Sequence, residues 1–388
     1  MTAEEEPSRF VSTIVWDPRF LDYDFGPGHP FVMEYRGLAA GLLREIDLGP
    51  RGLLWKTDVP PADHSLLVRF HREEYIQLVE GASHLERRIW LDSGDTPGFR
   101  GCHNAAARIV QGSVEAVRAA IERSAPAFQP GGGLHHAHRD RASGFCIYND
   151  VALAVDEACR SLGKVAYVDV DAHHGDGVMY GFYGRGDVLD IDFHQDGSSL
   201  FPGTGDVSES GHDDGEGLKV NLPLPPGSGD RALVSLLHRV VLPMLREFRP
   251  RLIVLQHGVD GHAGDPLAQL QYTRTGYLAV LHELLAFTGE HCSGRLVVTG
   301  GGGYDPTNVA LTLARAGTVL SGLTDGPSDG DPLPARWRET FPSRLKVVPP
   351  RTWSDEKSPG RDAWTRETED ALVGRLEAVL GRRFPRVA

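Results

Sequence analysis

Between residues 164 and 301 four apolar, β-branched-rich runs stand out: KVAYVDVD (164–171), DVLDIDFH (187–194), RLIVLQHG (251–258) and RLVVTGG (295–301). Their apolar stretches are continuous rather than alternating, the pattern of strands buried on both faces of a parallel sheet. Around them, apolar residues recur at three- and four-residue spacing over 103–124, 150–162, 230–248, 274–290 and 306–321, as in VALAVDEACRSL, and predict helices. Strand alternating with helix predicts an α/β fold: a single domain with a mainly parallel central sheet flanked by helices. No internal repeat is visible. The Pro-, Gly- and Asp-rich stretch 324–337 (TDGPSDGDPLPARW) reads as a long surface connection, followed by a terminal helix over 362–381. Residues 1–388 are therefore expected to form one domain, with 323–388 as a C-terminal extension packed on it.

In such sheets ligands bind beyond the carboxyl ends of the strands, and all four runs empty into polar loops there. The first loop, within YVDVDAHHGDG (167–177), crowds Asp169, Asp171, His173, His174 and Asp176 into eight positions. Asp171 and His173, at i and i+2, point to one side of an extended strand end and can clamp one divalent ion. Oxygen and imidazole donors suit zinc, iron(II), manganese or cobalt. A third ligand would follow LIVLQHGV, where Asp260 competes with His257 and His262. Loop and helix capping would explain one such motif by itself; three further loops of matching character favour a metal site.

The second stretch, GGGLHHAHRDRASGF (131–145), places paired His135 and His136 after three glycines. Adjacent imidazoles can serve as general base and electrostatic helper if each has an orienting carboxylate, and Asp169 and Asp176 are available. The third, GGGGYDPTN (300–308), supplies Tyr304, whose hydroxyl could donate to a developing oxyanion. A phosphate cradle is the competing reading of these glycines, but no Lys-Ser/Thr follows them, so the P-loop pattern fails.

Charge and composition narrow the partners. A formal net charge of -13 argues against obligatory binding to nucleic acid or an anionic membrane and leaves room for a cationic substrate. The four cysteines (Cys102, Cys146, Cys159, Cys292) form no CxxC pair, which fits a reducing compartment. The start, MTAEEEPSRF, lacks the apolar core of a signal peptide, and no apolar stretch reaches the roughly 18 residues of a membrane span. A cytoplasmic location is expected.

Together, GGGLHHA, GFCIYND, YVDVDAHHGDG, FPGTGD, HGVDGHAGDP and GGGGYDPTN resemble the zinc-dependent histone deacetylase superfamily. Within it the similarity is to bacterial deacetylases of the acetoin-utilisation type, and the motifs run in family order from about residue 22 to 322. The resemblance implies an enzyme that removes acyl groups from amines. It implies that Asp171, His173 and Asp260 bind Zn2+, with Fe2+ accepted by the same donor set. His136 would be general base and then acid, His135 its electrostatic partner, and Asp176 and Asp169 would orient His136 and His135 respectively. Tyr304 would polarise the acyl oxygen. Phe145 and Phe201 would wall the acyl tunnel beside Gly144 and Gly302, Leu267 would sit at its mouth, and Asp95 would hold the substrate backbone at the rim. As a competing reading, the two phenylalanines are core aromatics.

The resemblance also implies a K+ ion near the catalytic metal, held by Asp169, Asp171 and the main chain of His173 and Phe193. Here Asp192 stands where a small hydroxyl residue is common; it either strengthens that site or faces solvent. The implied substrate is an acylated lysine in a protein or peptide, or an acylated small amine such as an acetylpolyamine. Leu267 at the mouth, in place of an acidic gatekeeper, and Asp95 favour the peptide. Two rivals remain. An arginase-like binuclear ureohydrolase would need two carboxylates at i and i+2 where Gly258 and Asp260 stand. A catalytically dead acyl-binding module would have lost Tyr304, a histidine or a metal ligand.

Overall fold

The structure, a computed structural model, describes residues 11–48, 52–85, 89–92, 94–323, 327–341, 345, 347–354 and 358–381. The acidic start, 1–10, lies outside the described residues. The strands in chain order are β1 (Thr13–Val15), β2 (Leu54–Lys56), β3 (Ile89–Trp90), β4 (Pro97–Gly98), β5 (Ala127–Gln129), β6 (Val165–Asp169), β7 (Val188–Gln195), β8 (Lys219–Leu224), β9 (Ile253–Gln256) and β10 (Leu296–Thr299). Strands β3 and β4 form a separate antiparallel pair. The other eight make one sheet in the order β2-β1-β5-β10-β9-β6-β7-β8, and every pairing in it is parallel.

Alternate side chains along each strand face opposite sides of a sheet. Accordingly Ala166, Val168, Ile253, Leu255, Leu296 and Val298 enter one core, while Val165, Tyr167, Val254 and Val297 enter the other. The first core is covered by helices Glu34–Glu45, Arg274–His291, Pro306–Leu320 and Arg366–Leu380, and the second by Glu73–Ser83, Cys102–Arg123 and Asp150–Leu162. This three-layer α/β/α sandwich explains the continuous apolar runs, since neither face of the central strands meets water.

The anticipated helices form close to their expected bounds, with one irregularity. The 230–248 segment widens to a π-turn over Leu237–Val241, just before Pro243. Proline has no N–H for the ordinary intrahelical bond, so the helix is disturbed there. The expected surface connection departs further. Residues 324–326 lie outside the described residues, but Leu333 is buried and Ala335–Glu339 is a helix carrying buried Trp337. The Trp337 indole donates to the Leu38 carbonyl at 2.8 Å, and its ring meets Phe341 edge-on at 5.0 Å. Trp353 and Trp364 join the same core, so the C-terminal segment covers one face of the sandwich. No helix among the described residues is long and apolar enough to cross a membrane.

Trp337→Ala would empty a large buried site and strand the Leu38 carbonyl. A loss of about 3–5 kcal/mol in unfolding free energy is expected in chemical denaturation. A loss below about 1 kcal/mol would show that the C-terminal segment is not integral to the core.

Candidate active site

Four adjacent strands, β5, β10, β9 and β6, end side by side and deliver the four chemistry-bearing loops to one place. The loop after β5 carries His135 and His136, that after β10 carries Tyr304, that after β9 carries Asp260, and that after β6 carries Asp171, His173 and Asp176.

Asp171, His173 and Asp260 present one donor atom each, all within 4.8 Å of one another and all buried. His173 Nδ1 faces Asp260 Oδ2 at 2.9 Å and Asp171 Oδ1 at 3.2 Å. Burial alone would lower the His173 pKa, but the two carboxylates outweigh it and lift it to about 10. Two buried anions converging on one ring nitrogen are a donor set short of positive charge, which fits a divalent cation. Backbone amides hold the outer oxygens: Ala172 N–H donates to Asp260 Oδ1 at 2.7 Å and Gly302 N–H to Asp171 Oδ2 at 2.7 Å. Gly258 and Gly302 are obligatory here, because a Cβ on the first would overlap the Asp171 carboxylate and on the second that of Asp260.

Beside this cluster His135 and His136 face each other, Nε2 to Nε2, at 3.0 Å. His135 Nδ1 meets Asp169 Oδ2 at 2.8 Å, and His136 Nδ1 meets Asp176 Oδ1 at 2.8 Å. Burial, followed by the neighbouring His135, lowers the His136 pKa despite the Asp176 contact. The GFCIYND motif fixes this loop from behind. Asp150 accepts from the N–H groups of Gly133 (3.0 Å) and Leu134 (2.7 Å), while the Asn149 amide donates to the carbonyls of His135 and Ala137, each at 2.9 Å. Asn149 also caps the helix Asp150–Leu162 through Ala152 N–H.

A cavity of about 250 Å3 opens above the cluster, lined by Asp95, His136, Gly144, Phe145, His173, Leu200, Phe201, Leu267 and Tyr304. A larger hollow, about 810 Å3, lies against the terminal helix, but it holds none of these residues, so volume does not select the site. Phe201 is 42% exposed and stands edge-on to His136 at 5.1 Å, which sets aside a core role for it. Phe145 is half-buried with φ +67°, edge-on to Tyr304 at 6.0 Å. A side chain at Gly144 would strike the His136 ring. Burial, then the charges of Asp260, Asp171 and Asp265, push the Tyr304 phenol well above its ordinary pKa, so it stays an O–H donor. Leu267 is partly exposed at the cavity mouth, and Gly302 lies deeper, against the carboxylates of Asp260 and Asp171.

Asp171, His173 and Asp260 gather in one cluster, Asp95, His136, Gly144, Phe145, Phe201, Leu267 and Tyr304 line the cavity above it, and Asp169 and Asp176 stand behind His135 and His136. Asp192 does not face solvent: it is buried, its carboxylate taken by His194 Nδ1 and Gly175 N–H, each at 2.7 Å. His174 pairs with Thr204 Oγ1 at 2.8 Å and Met179 Sδ at 3.3 Å, tying its loop to FPGTGD. His257 and His262 are not in the three-residue cluster. Two contributors escaped sequence reasoning. Asp265 accepts from Tyr304 N–H at 2.8 Å and Leu267 N–H at 3.0 Å, and so sets the tyrosine loop. Buried Arg36 donates to the Gly301 carbonyl, with its guanidinium over the Phe31 ring. Asp265 sits in the quoted GHAGDP motif; Arg36 has no local signal.

Residues 30–320 match the family model for the histone deacetylase domain, and the chain belongs to that family. It is 34% identical to an acetoin utilization protein, AcuC, of Bacillus subtilis (strain 168) over 353 residues, covering 89% of this chain and 90% of that one. The AcuC of Staphylococcus xylosus is 32% identical over 351 residues, covering 88% and 90%. Among solved structures, the HDA15 HD domain superposes with a TM-score of 0.72 at 28% identity, covering 80% of this chain and 91% of that chain. The chain is thus a deacetylase-type hydrolase.

Gly258→Ala should weaken divalent-metal binding about ten- to a hundredfold in a zinc titration while the circular dichroism spectrum is retained. Unchanged affinity would contradict the tight seating of Asp171.

Proposed function

We propose that the protein hydrolyses N-acyl amides, removing acetyl or another acyl group from lysine side chains or related amines. One divalent ion, zinc or iron(II), would be held by Asp171, His173 and Asp260. The observation that carries this reading is the shared cavity, in which His136, with Asp176 behind it, faces the same 250 Å3 space as Tyr304 and His173. Bound there, the metal would supply a Lewis acid and bring the pKa of a bound water toward ~7.

The chain's own residues do the rest. His136, kept neutral by burial and by His135, takes a proton from the attacking water. Asp176 stabilises the imidazolium that results, and His136 then passes the proton to the departing amine. His135, anchored on Asp169, tunes this exchange electrostatically. Tyr304 donates to the acyl oxygen as that oxygen gains negative charge. Phe145, Phe201 and Gly144 flank the alkyl chain that carries the amide, with Gly302 beneath and Leu267 at the mouth. Asp95 receives backbone amides of a peptide substrate. A K+ ion would be held by Asp169, Asp171 and the main chain of His173 and Phe193. Four buried, unpaired cysteines support a reducing, cytoplasmic setting.

Acyl-lysine in peptides is the preferred substrate because the mouth offers Leu267 rather than an acid; an acetylpolyamine or other small N-acyl amine is the alternative. A binuclear ureohydrolase is disfavoured. Gly258 occupies the spacing of its second carboxylate, and any side chain there would overlap Asp171. Loss of activity by inactivating substitution is disfavoured too, since both histidines, Tyr304 and the three ligands are present and gathered.

Side-by-side assays on acetyl-lysine peptides, longer acyl-lysines and acetylpolyamines should show acetyl-lysine peptides turned over fastest; release of no acyl group from any of them would sink the reading. Tyr304→Phe should lower kcat by about a hundred- to a thousandfold with zinc still bound, and unchanged turnover would refute its role. Burial, then neighbouring Asp92, raises the Asp95 pKa to about 6. Asp95 is therefore an anionic acceptor above that pH and gains a proton as pH falls through it. KM for acetyl-lysine peptides should rise below pH about 6, while that for small acylated amines should not; parallel profiles would remove Asp95 from substrate binding.

A further inference from the structure

We propose that His138, in HHAH, is a positioning residue that holds Asp176 against the catalytic His136; the inference rests on the deacylase reading above. The two orienting carboxylates differ in how they are secured. Asp169 accepts from His135 Nδ1 at 2.8 Å, from Asp171 N–H at 2.9 Å and from the Tyr167 hydroxyl. A main-chain and a phenol donor thus pin it independently of the histidine it serves. Asp176 has no such support. Among the described residues its carboxylate meets two imidazoles, His136 Nδ1 on Oδ1 at 2.8 Å and His138 Nε2 on Oδ2 at 3.1 Å. A carboxylate anchored only by the group it orients would be free to turn about its own side-chain bonds. The second imidazole removes that freedom and presents Oδ1 to the base.

His138 is itself fixed. Its N–H donates to the Arg141 carbonyl at 3.0 Å, and its carbonyl meets the buried His71 ring at 2.9 Å. Its imidazole lies parallel to the Tyr180 ring at 6.2 Å. The side chain is 11% exposed and does not line the tunnel cavity, so it reaches the reaction only through Asp176. Burial raises the Asp176 pKa, but the contacts from His136 and His138 outweigh it, so the carboxylate stays ionised between the two rings.

The test compares the metal-loaded full chain with His138→Ala, His138→Leu and His138→Gln on an acetyl-lysine peptide. Alanine and leucine should lower kcat about ten- to a hundredfold with KM, metal content and Tm unchanged. Glutamine, which keeps a donor for Oδ2, should return kcat to within about threefold of the native chain. Native kcat in His138→Ala, or a glutamine variant as slow as the alanine one, overturns the proposal. So does a loss that tracks with lost metal or lowered Tm. A crystal structure of His138→Ala reads the same point without turnover: Asp176 should be swung off His136, and a retained Oδ1–Nδ1 contact overturns the proposal. An inactive native chain would instead overturn the deacylase reading and leave that structural result to decide on His138.

Discussion

Four carboxylates, Asp169, Asp171, Asp176 and Asp260, lie almost wholly out of water at one end of the sheet, and the rest of the site is arranged around their charge. An ionised carboxylate so buried is costly unless hydrogen bonds and opposite charge replace its hydration. Four imidazoles, a phenol and several backbone amides answer most of that need. What remains is concentrated between Asp171 and Asp260, where two carboxylates share one ring nitrogen. A bound divalent cation would complete it, and in the proposed reaction that ion would supply the Lewis acid.

That concentration depends on backbone approach. The glycines at 258 and 302 let the strand-end loops close on the Asp171 and Asp260 carboxylates, and Gly144 lets the cavity wall meet His136. It depends equally on topology, because β5, β10, β9 and β6 are neighbours although far apart in sequence. The parallel sheet therefore acts as a register, presenting one loop from each of four strands to a common point.

Much of this was legible beforehand for a physical reason: the loops are short, local and chemically extreme. The buried strands β6, β7, β9 and β10 announced themselves as continuous apolar runs, and the amphipathic helices by their period. The strands that escaped are too short or too polar. β1, β2 and β5 have three residues each, and β8 (KVNLPL) opens on Lys219 and contains Pro223, which an edge strand tolerates. Yet β5 is the strand that delivers His135 and His136. Residues acting over long sequence distance were also hidden. Arg36 meets Gly301, and Trp337 meets Leu38; no local pattern encodes such pairs. The Pro-Gly-rich stretch before Trp337 misled because its composition suits a loop, while its last residues supply core.

The central claim is a single-metal hydrolytic centre built by Asp171, His173 and Asp260. Elemental analysis of the purified native chain, alongside Asp260→Ala, addresses it most directly. One zinc or iron per native chain, lost in Asp260→Ala, is the predicted result. Two manganese ions per chain, or a metal content indifferent to Asp260→Ala, would contradict it.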